Sequence, residues 1–307
     1  MRRAALLLVD AEPTSADARA DAARRRLLRG GLLWPFAPVL LSATPAHADL
    51  ADVVAAVRPS LVPVGTFSAT ESPRFGFRGT GFAVGDGTLV ATNHHVLPEG
   101  GEAAVAGRRL VVLVRTPGTS RGGGSDTGEL RPARVVAADR SRDLALLRIE
   151  GAPLAPLTLA ADDAAREGQS IALMGYPIGG ALGFAPVTHR GIIASITTVA
   201  LPAPTAAQLD PRAIARLREG NFEVLQLDAT AYPGNSGGPL FDAANGRVLG
   251  VVSMVLVKGS RESAIATPTG ITYAVPVRHL RALLDEAAAG SEGRITRPAT
   301  PTPEQRR

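Results

Sequence analysis

A chain of 307 residues with 33 glycines and 24 prolines is long enough to bury a sizeable core, and its spread of turn formers argues against a helical bundle. The basic charge is almost all arginine, Lys258 being the only lysine, and of the net +5 only +2 remains beyond residues 1–48, which hold seven arginines against four acids. Nothing in that balance implies a nucleic-acid partner. Cysteine is absent, so disulfides contribute nothing to stability.

The amino-terminal charge has its own explanation. Arg24-Arg25-Arg26-Leu27-Leu28-Arg29 precedes an apolar run from Gly30 to Leu41 and then the small-residue site Ala46-His47-Ala48. This order predicts a signal peptide over residues 1–48, with Asp49 as the first mature residue and a periplasmic or secreted location. The run is too short, and too broken by Pro35 and Pro38, for a stable membrane span. The arginine pair resembles a twin-arginine export signal, although Ala23 stands where that motif usually has Ser or Thr.

Leu50 to Val57 has the pattern of a short amphipathic helix, ended by Pro59, and Leu61 to Phe67 reads as a strand. Gly79 to Val84 and Thr88 to Ala91 flank Gly85-Asp86-Gly87, a hairpin turn supplied with glycines for positive φ. Further strands are predicted at Leu110 to Arg115, Ala133 to Ala137 and Leu144 to Ile149, with an exposed loop from Gly118 to Gly128. A second series follows at Ser170 to Met174, Gly191 to Val199, Val224 to Leu227, Val248 to Val257 and Ile271 to Val275. Asp210 to Glu219 has helical composition and reads as a surface excursion between strands, with a flap near the cleft as the alternative. Val277 to Ala289 is predicted as a terminal helix, and residues 290–307 as a disordered tail. Many short strands with few helices between them predict an all-β sandwich or barrel.

Chemistry concentrates in Ala231-Tyr232-Pro233-Gly234-Asn235-Ser236-Gly237-Gly238-Pro239-Leu240. Glycines on both sides of Ser236 let a carbonyl substrate approach the backbone and let successive N–H groups converge on one point. A serine hydroxyl is inert near neutral pH without a base and a group to orient that base. Of five histidines, His47 falls in the signal segment, and His189 and His279 read as ordinary surface or satisfied residues. His94 and His95 remain, after the apolar strand Leu89-Val90-Ala91, where adjacent side chains face opposite ways and chelate a metal poorly. No metal-ligand spacing is found, and no cofactor is implied. For the orienting carboxylate, Asp143 precedes the apolar run Leu144-Ala145-Leu146-Leu147, whereas Asp139 lies in a polar turn and is expected to be solvated.

Thr92-Asn93-His94-His95-Val96, Asp143-Leu144-Ala145-Leu146-Leu147 and Gly234-Asn235-Ser236-Gly237-Gly238-Pro239-Leu240 resemble, in this order, the three catalytic motifs of chymotrypsin-like serine proteases, most closely the bacterial HtrA/Deg branch. The resemblance covers about residues 50–285 and is supported by Gly79-Thr80-Gly81-Phe82, Gly175-Tyr176-Pro177-Ile178-Gly179, Asp228-Ala229 and Gly270-Ile271-Thr272-Tyr273-Ala274-Val275-Pro276. It implies a chymotrypsin-like double β-barrel with a C-terminal helix, barrel 1 over about 58–165 and barrel 2 over about 166–278, within a protease domain of residues 49–289. It also implies roles: Ser236 as nucleophile, His95 rather than His94 as base, Asp143 as orienting group, and the N–H groups of Gly234 and Ser236 as oxyanion donors. The primary pocket would be lined by Thr230, Ala231, Tyr232 and Pro233, by Ser253, Met254 and Val255, and by Gly270, Ile271 and Thr272.

The departures from the family pattern carry information. Asn235 stands where digestive members have an aspartate that pairs with a newly cut amino terminus, so no zymogen cleavage beyond signal removal is expected. None of the pocket positions is charged, which predicts cleavage after small or aliphatic residues. Only 31 residues follow Pro276, too few for the PDZ domain that HtrA proteins usually carry. Tyr232 replaces the family's usual asparagine, and Ala200 to Phe222 is longer than expected; either is placed to regulate the serine loop. The resulting expectation is an exported serine endopeptidase acting on polypeptides, unfolded proteins among them. The alternatives are a catalytically silent binding module on a protease scaffold and an esterase using the same triad.

Overall fold

Leu144-Ala145-Leu146-Leu147 is apolar at every position because both faces of its strand are buried. Ala145 and Leu147 point into one barrel, while Leu144 and Leu146 join a cluster with Val248, Val251 and Val275 of the other. The same division recurs on the first strand, where Val62 and Val64 face inward and Leu61 packs outward with Ala172, Met174 and Phe241. Strict alternation of side chains thus produces a barrel interior and an inter-barrel core from one run of residues.

The computed structural model describes residues 49–98, 107–115, 128–177, 179, 184–198, 222–253 and 271–295. The predicted signal peptide, the excursion at Asp210 to Glu219 and nearly all of the loop expected at Gly118 to Gly128 lie outside them. Twelve strands form two closed antiparallel six-stranded barrels. Barrel 1 contains β1 (Leu61–Ser68), β2 (Phe75–Val84), β3 (Leu89–Thr92), β4 (Arg108–Arg115), β5 (Gly128–Asp139) and β6 (Leu144–Ile149), in the order β1-β2-β3-β6-β5-β4. Barrel 2 contains β7 (Ser170–Gly175), β8 (Val187–Thr198), β9 (Glu223–Asp228), β10 (Pro239–Asp242), β11 (Val248–Ser253) and β12 (Ile271–Pro276), in the order β10-β11-β12-β9-β8-β7. Closure pairs every strand on both sides and leaves no sheet edge to manage.

Two helices tie the barrels together. Helix α1 (Leu50–Val57) starts at Asp49, whose carboxylate accepts from the Ala51 N–H, and its Val53 and Val57 pack on Ala172, Met174 and Phe241 of barrel 2. Helix α2 (Val277–Ile295) sets Val277, Leu280 and Leu283 into the inter-barrel cluster against Phe82, Leu144 and Leu146. Each fully buried leucine there contributes roughly 2 kcal/mol of transfer free energy. The helix runs six residues beyond the expected end at Ala289. Ala287, Ala288 and Ala289 favour helix strongly, and the first proline after them is Pro298.

Three other expectations change. Strand β10 is absent from the sequence-derived series, because four residues behind two glycines and a proline carry too short a pattern to read. Strands β5 and β8 run to 12 residues each, well beyond the segments expected, since only parts of them carry an apolar face. His189 and His279 are neither surface nor satisfied histidines: both are half-buried, and neither Nε2 has a hydrogen-bond partner among the described residues. His189 packs against Tyr232 with ring centroids 5.7 Å apart, and His279 stands edge-on to Phe222 at 6.1 Å.

Burial, with Arg142 and Arg278 nearby, pushes His279 down to about 4 from the usual 6.5; Asp139 and Glu223 oppose the shift weakly. A histidine whose folded pKa is depressed supports the fold above its unfolded value and withdraws that support as pH falls. Stability should therefore decline between about pH 6.5 and 4, by roughly 1 to 2 kcal/mol from this group after allowance for its partial exposure. His279→Leu should flatten that part of the melting-temperature profile; an unchanged slope would contradict the assignment.

Candidate active site

The two candidate histidines are built on a tight turn after β3. His94–Val96 form a single 3₁₀ turn, so the two histidines diverge by the turn's geometry and not by alternation along a strand as expected. Arg78 of β2 braces the turn, its guanidinium donating to the carbonyls of Val96 (2.5 Å) and Leu97 (2.8 Å). Burial first, and Arg140 second, lower the pKa of the His94 imidazole. His95 lies 2.8 Å from Asp143, Nδ1 to Oδ2. A carboxylate only accepts, so the proton sits on Nδ1 and leaves Nε2 as the basic nitrogen.

Asp143 is held from several sides. Its Oδ1 accepts the His95 N–H at 2.9 Å, and its Oδ2 accepts the Ser253 hydroxyl at 2.8 Å. Its carbonyl accepts from the His94 N–H at 3.1 Å and from the Asn93 side-chain amide at 2.9 Å. The residue sits at φ 56°, in the left-handed region that aspartate tolerates better than most residues. Such a conformation survives only where the surroundings impose it, as these bonds do. Asp139, expected to be solvated, instead organises the turn leading to Asp143. Its carboxylate accepts from the backbone and hydroxyl of Ser141 and from the backbone and guanidinium of Arg142. Burial alone would raise the Asp139 pKa, but these bonds outweigh it and lower it.

Ser236 is 4% exposed and lies on a loop folded between the barrels. Gly234 adopts φ 106° and Gly237 φ 84°, values only glycine takes without strain. A Cβ on Gly237 would meet the Thr80 carbonyl, the Thr92 hydroxyl and, at 3.1 Å, the Asn93 nitrogen. A Cβ on Gly79 would meet Val96 at 2.6 Å and the Ser236 carbonyl at 3.0 Å. The serine loop therefore rests directly on the segment that carries His95. Asn235 is fully buried, and its amide has no hydrogen-bond partner among the described residues.

The expected pocket residues divide. Thr230, Tyr232 and Pro233 are partly exposed, while Ala231, Ser253 and Thr272 are buried. Met254, Val255 and Gly270 lie outside the described residues, and Ile271 is the first residue of β12. The hydroxyl of Ser253 goes to Asp143 and that of Thr272 to the Ala229 carbonyl at 2.7 Å, so both are committed inside the protein. Ser253 as a partner of Asp143, and Thr80 and Thr92 as supports of the serine loop, were not among the candidates read from sequence. Their one signal is a hydroxyl flanked by small or apolar residues within a strand.

Among the described residues no group of three or more His, Asp and Glu is placed to hold a metal ion, and no helix is long and apolar enough to cross a membrane. The family model for the trypsin-like peptidase domain matches residues 79–251, which include His95, Asp143 and Ser236. The chain belongs to the trypsin-like peptidase family. The chain is 30% identical over 221 residues to a probable periplasmic serine endoprotease DegP-like of Chlamydia trachomatis, covering 72% of this chain and 35% of the relative. It is 27% identical over 252 residues to the serine protease PepD of Mycobacterium tuberculosis, covering 81% of this chain and 48% of that one. It thus spans between about a third and a half of the length of these curated relatives. Among solved structures, the HtrA-type protease AlgW with decapeptide shares the fold at TM-score 0.56 and 22% identity, over 78% of this chain and 68% of that one.

Proposed function

We propose that this trypsin-like peptidase is an exported serine endopeptidase that cleaves polypeptides through His95, Asp143 and Ser236. The observation that carries the reading is the His95–Asp143 pair, 2.8 Å apart, beside a glycine-framed serine loop. In the reaction, Ser236 Oγ attacks the peptide carbonyl while His95 Nε2 takes its proton. The N–H groups of Gly234 and Ser236 receive the carbonyl oxygen as it becomes negative. The tetrahedral intermediate then expels the amine, which leaves with the proton held by His95. Water repeats the sequence on the acyl-enzyme, with His95 again as base, and frees Ser236. Asp143 holds the ring and stabilises its charged form.

The uncharged pocket positions support cleavage after small or aliphatic residues, as does the commitment of the Ser253 and Thr272 hydroxyls to internal partners. A basic side chain would find no countercharge among Thr230, Ala231, Tyr232 and Pro233. The Arg-rich leader at residues 24–29 and the relative named as a periplasmic endoprotease support export.

One digest tests the reading. The protein from Asp49 onward is incubated with an unfolded protein, and separately with small esters, and the peptides are sequenced by mass spectrometry. Internal cuts after Ala, Val or Leu are expected. Cuts dominated by Arg would contradict the pocket assignment, ester turnover without protein cleavage would point to an esterase, and inertness to both would point to a binding module.

A further inference from the structure

We propose that Thr80 is a positioning residue for the oxyanion site, holding from barrel 1 the two loop residues whose N–H groups receive the developing charge. The inference rests on the serine endopeptidase reading above. Thr80 lies on β2 and is fully buried. Its N–H donates to the carbonyl of Ser236 at 2.9 Å. Its hydroxyl donates to the carbonyl of Gly234 at 2.6 Å and accepts the N–H of Tyr176 at 3.0 Å. Its own carbonyl accepts the Thr92 hydroxyl at 2.7 Å and lies against the Cα of Gly237. One side chain and its backbone therefore engage residues 234, 236 and 237 together.

This arrangement answers a problem that the loop's glycines create. Glycine at 234 permits φ 106°, but it permits many other conformations as well. Donors catalyse well only when they are aimed before charge develops. Fixing the carbonyl of Gly234 by the Thr80 hydroxyl, and that of Ser236 by the Thr80 N–H, selects one orientation of the peptide between them that carries the Ser236 N–H, and anchors Gly234 itself, whose own N–H lies on the preceding peptide. The hydroxyl is itself oriented, because accepting from Tyr176 N–H leaves its proton directed at Gly234. Gly175 is required by the same contact: a Cβ there would come within 2.9 Å of the Thr80 hydroxyl and 2.7 Å of Asn235 Oδ1.

Thr80→Val keeps the shape and the backbone N–H and removes only the hydroxyl. It should lower kcat on a peptide substrate by about thirtyfold, somewhat less than deletion of an oxyanion donor, and change KM less than twofold. Affinity for a peptide boronate, whose adduct occupies the oxyanion site, should fall by about the same factor as kcat/KM. Thr80→Ser should restore most of both. If the valine variant does not fold, Thr80→Cys, a similarly sized but weak donor, should show the same loss confined to kcat. Thr80→Val with kcat and boronate affinity within twofold of the parent, whatever its melting temperature, would overturn the inference alone. A parent whose activity survives Ser236→Ala would instead overturn the reading on which it rests.

Discussion

Ser236→Ala is expected to lower kcat for peptide hydrolysis by about a millionfold, to the level set by binding and the oxyanion site alone. The loss is that large because in the proposed mechanism Ser236 Oγ forms the covalent intermediate, and nothing within the loop can replace it: its neighbours are Gly234, Asn235, Gly237 and Gly238. Folding should be unaffected. Alanine is smaller than serine, and the loop's frame consists of backbone bonds that the substitution leaves intact, among them Thr80 N–H to the residue-236 carbonyl and Gly237 N–H to the Val252 carbonyl. Single-turnover kinetics beside a thermal melt measure both. A variant that keeps more than a hundredth of the parent rate would remove Ser236 from the nucleophile's role.

Asp143→Asn should cost about ten-thousandfold in kcat. Asparagine fits the left-handed backbone at φ 56° as well as aspartate does, so the turn should persist. What changes is the pattern of donors. The aspartate accepts three hydrogen bonds through its carboxylate, from the His95 N–H, from His95 Nδ1 and from the Ser253 hydroxyl. An amide offers only one oxygen. If that oxygen faces the His95 N–H, the NH₂ faces Nδ1, the imidazole switches tautomer, and Nε2 carries the proton when it should accept one. If the amide turns over, the NH₂ opposes the backbone N–H. That second orientation sets two donors against each other and is disfavoured, so the ring is held mainly in the wrong tautomer. A pH–rate profile of parent and variant reads this, and a variant within tenfold of the parent would show that Asp143 does not set the tautomer.

The candidates proposed for the triad could be picked out of the sequence because each sits in a local motif. Asp143 before Leu144-Ala145-Leu146-Leu147 is a charge at the end of a strand buried on both faces, and Ser236 stands among glycines that no ordinary strand would carry. The doubly buried strands were legible for the same reason: continuous apolar runs mark barrel walls that also meet a second barrel. The supports of the site were hidden. Thr80 and Gly234 are 154 positions apart and Ser253 and Asp143 are 110 apart, so nothing in the local pattern of any of these residues shows its partner. Buried threonine and serine in strands look like neutral strand residues until closure of the two barrels brings them against the loop. Strand β10 was missed because four residues hold too little periodicity, and the end of α2 because glycine and serine after three alanines resemble a stop that the chain passes through.

In the proposed mechanism Ser236 is activated by a histidine that Asp143 orients. Reaction with a fluorophosphonate, followed by peptide mapping, tests it most directly, since such a reagent labels a serine only where a base and an oxyanion site cooperate. A single phosphonyl adduct on the peptide containing Ser236, lost in His95→Ala and in Ser236→Ala, is the predicted result. An unlabelled parent, or an adduct on any other residue, would contradict it.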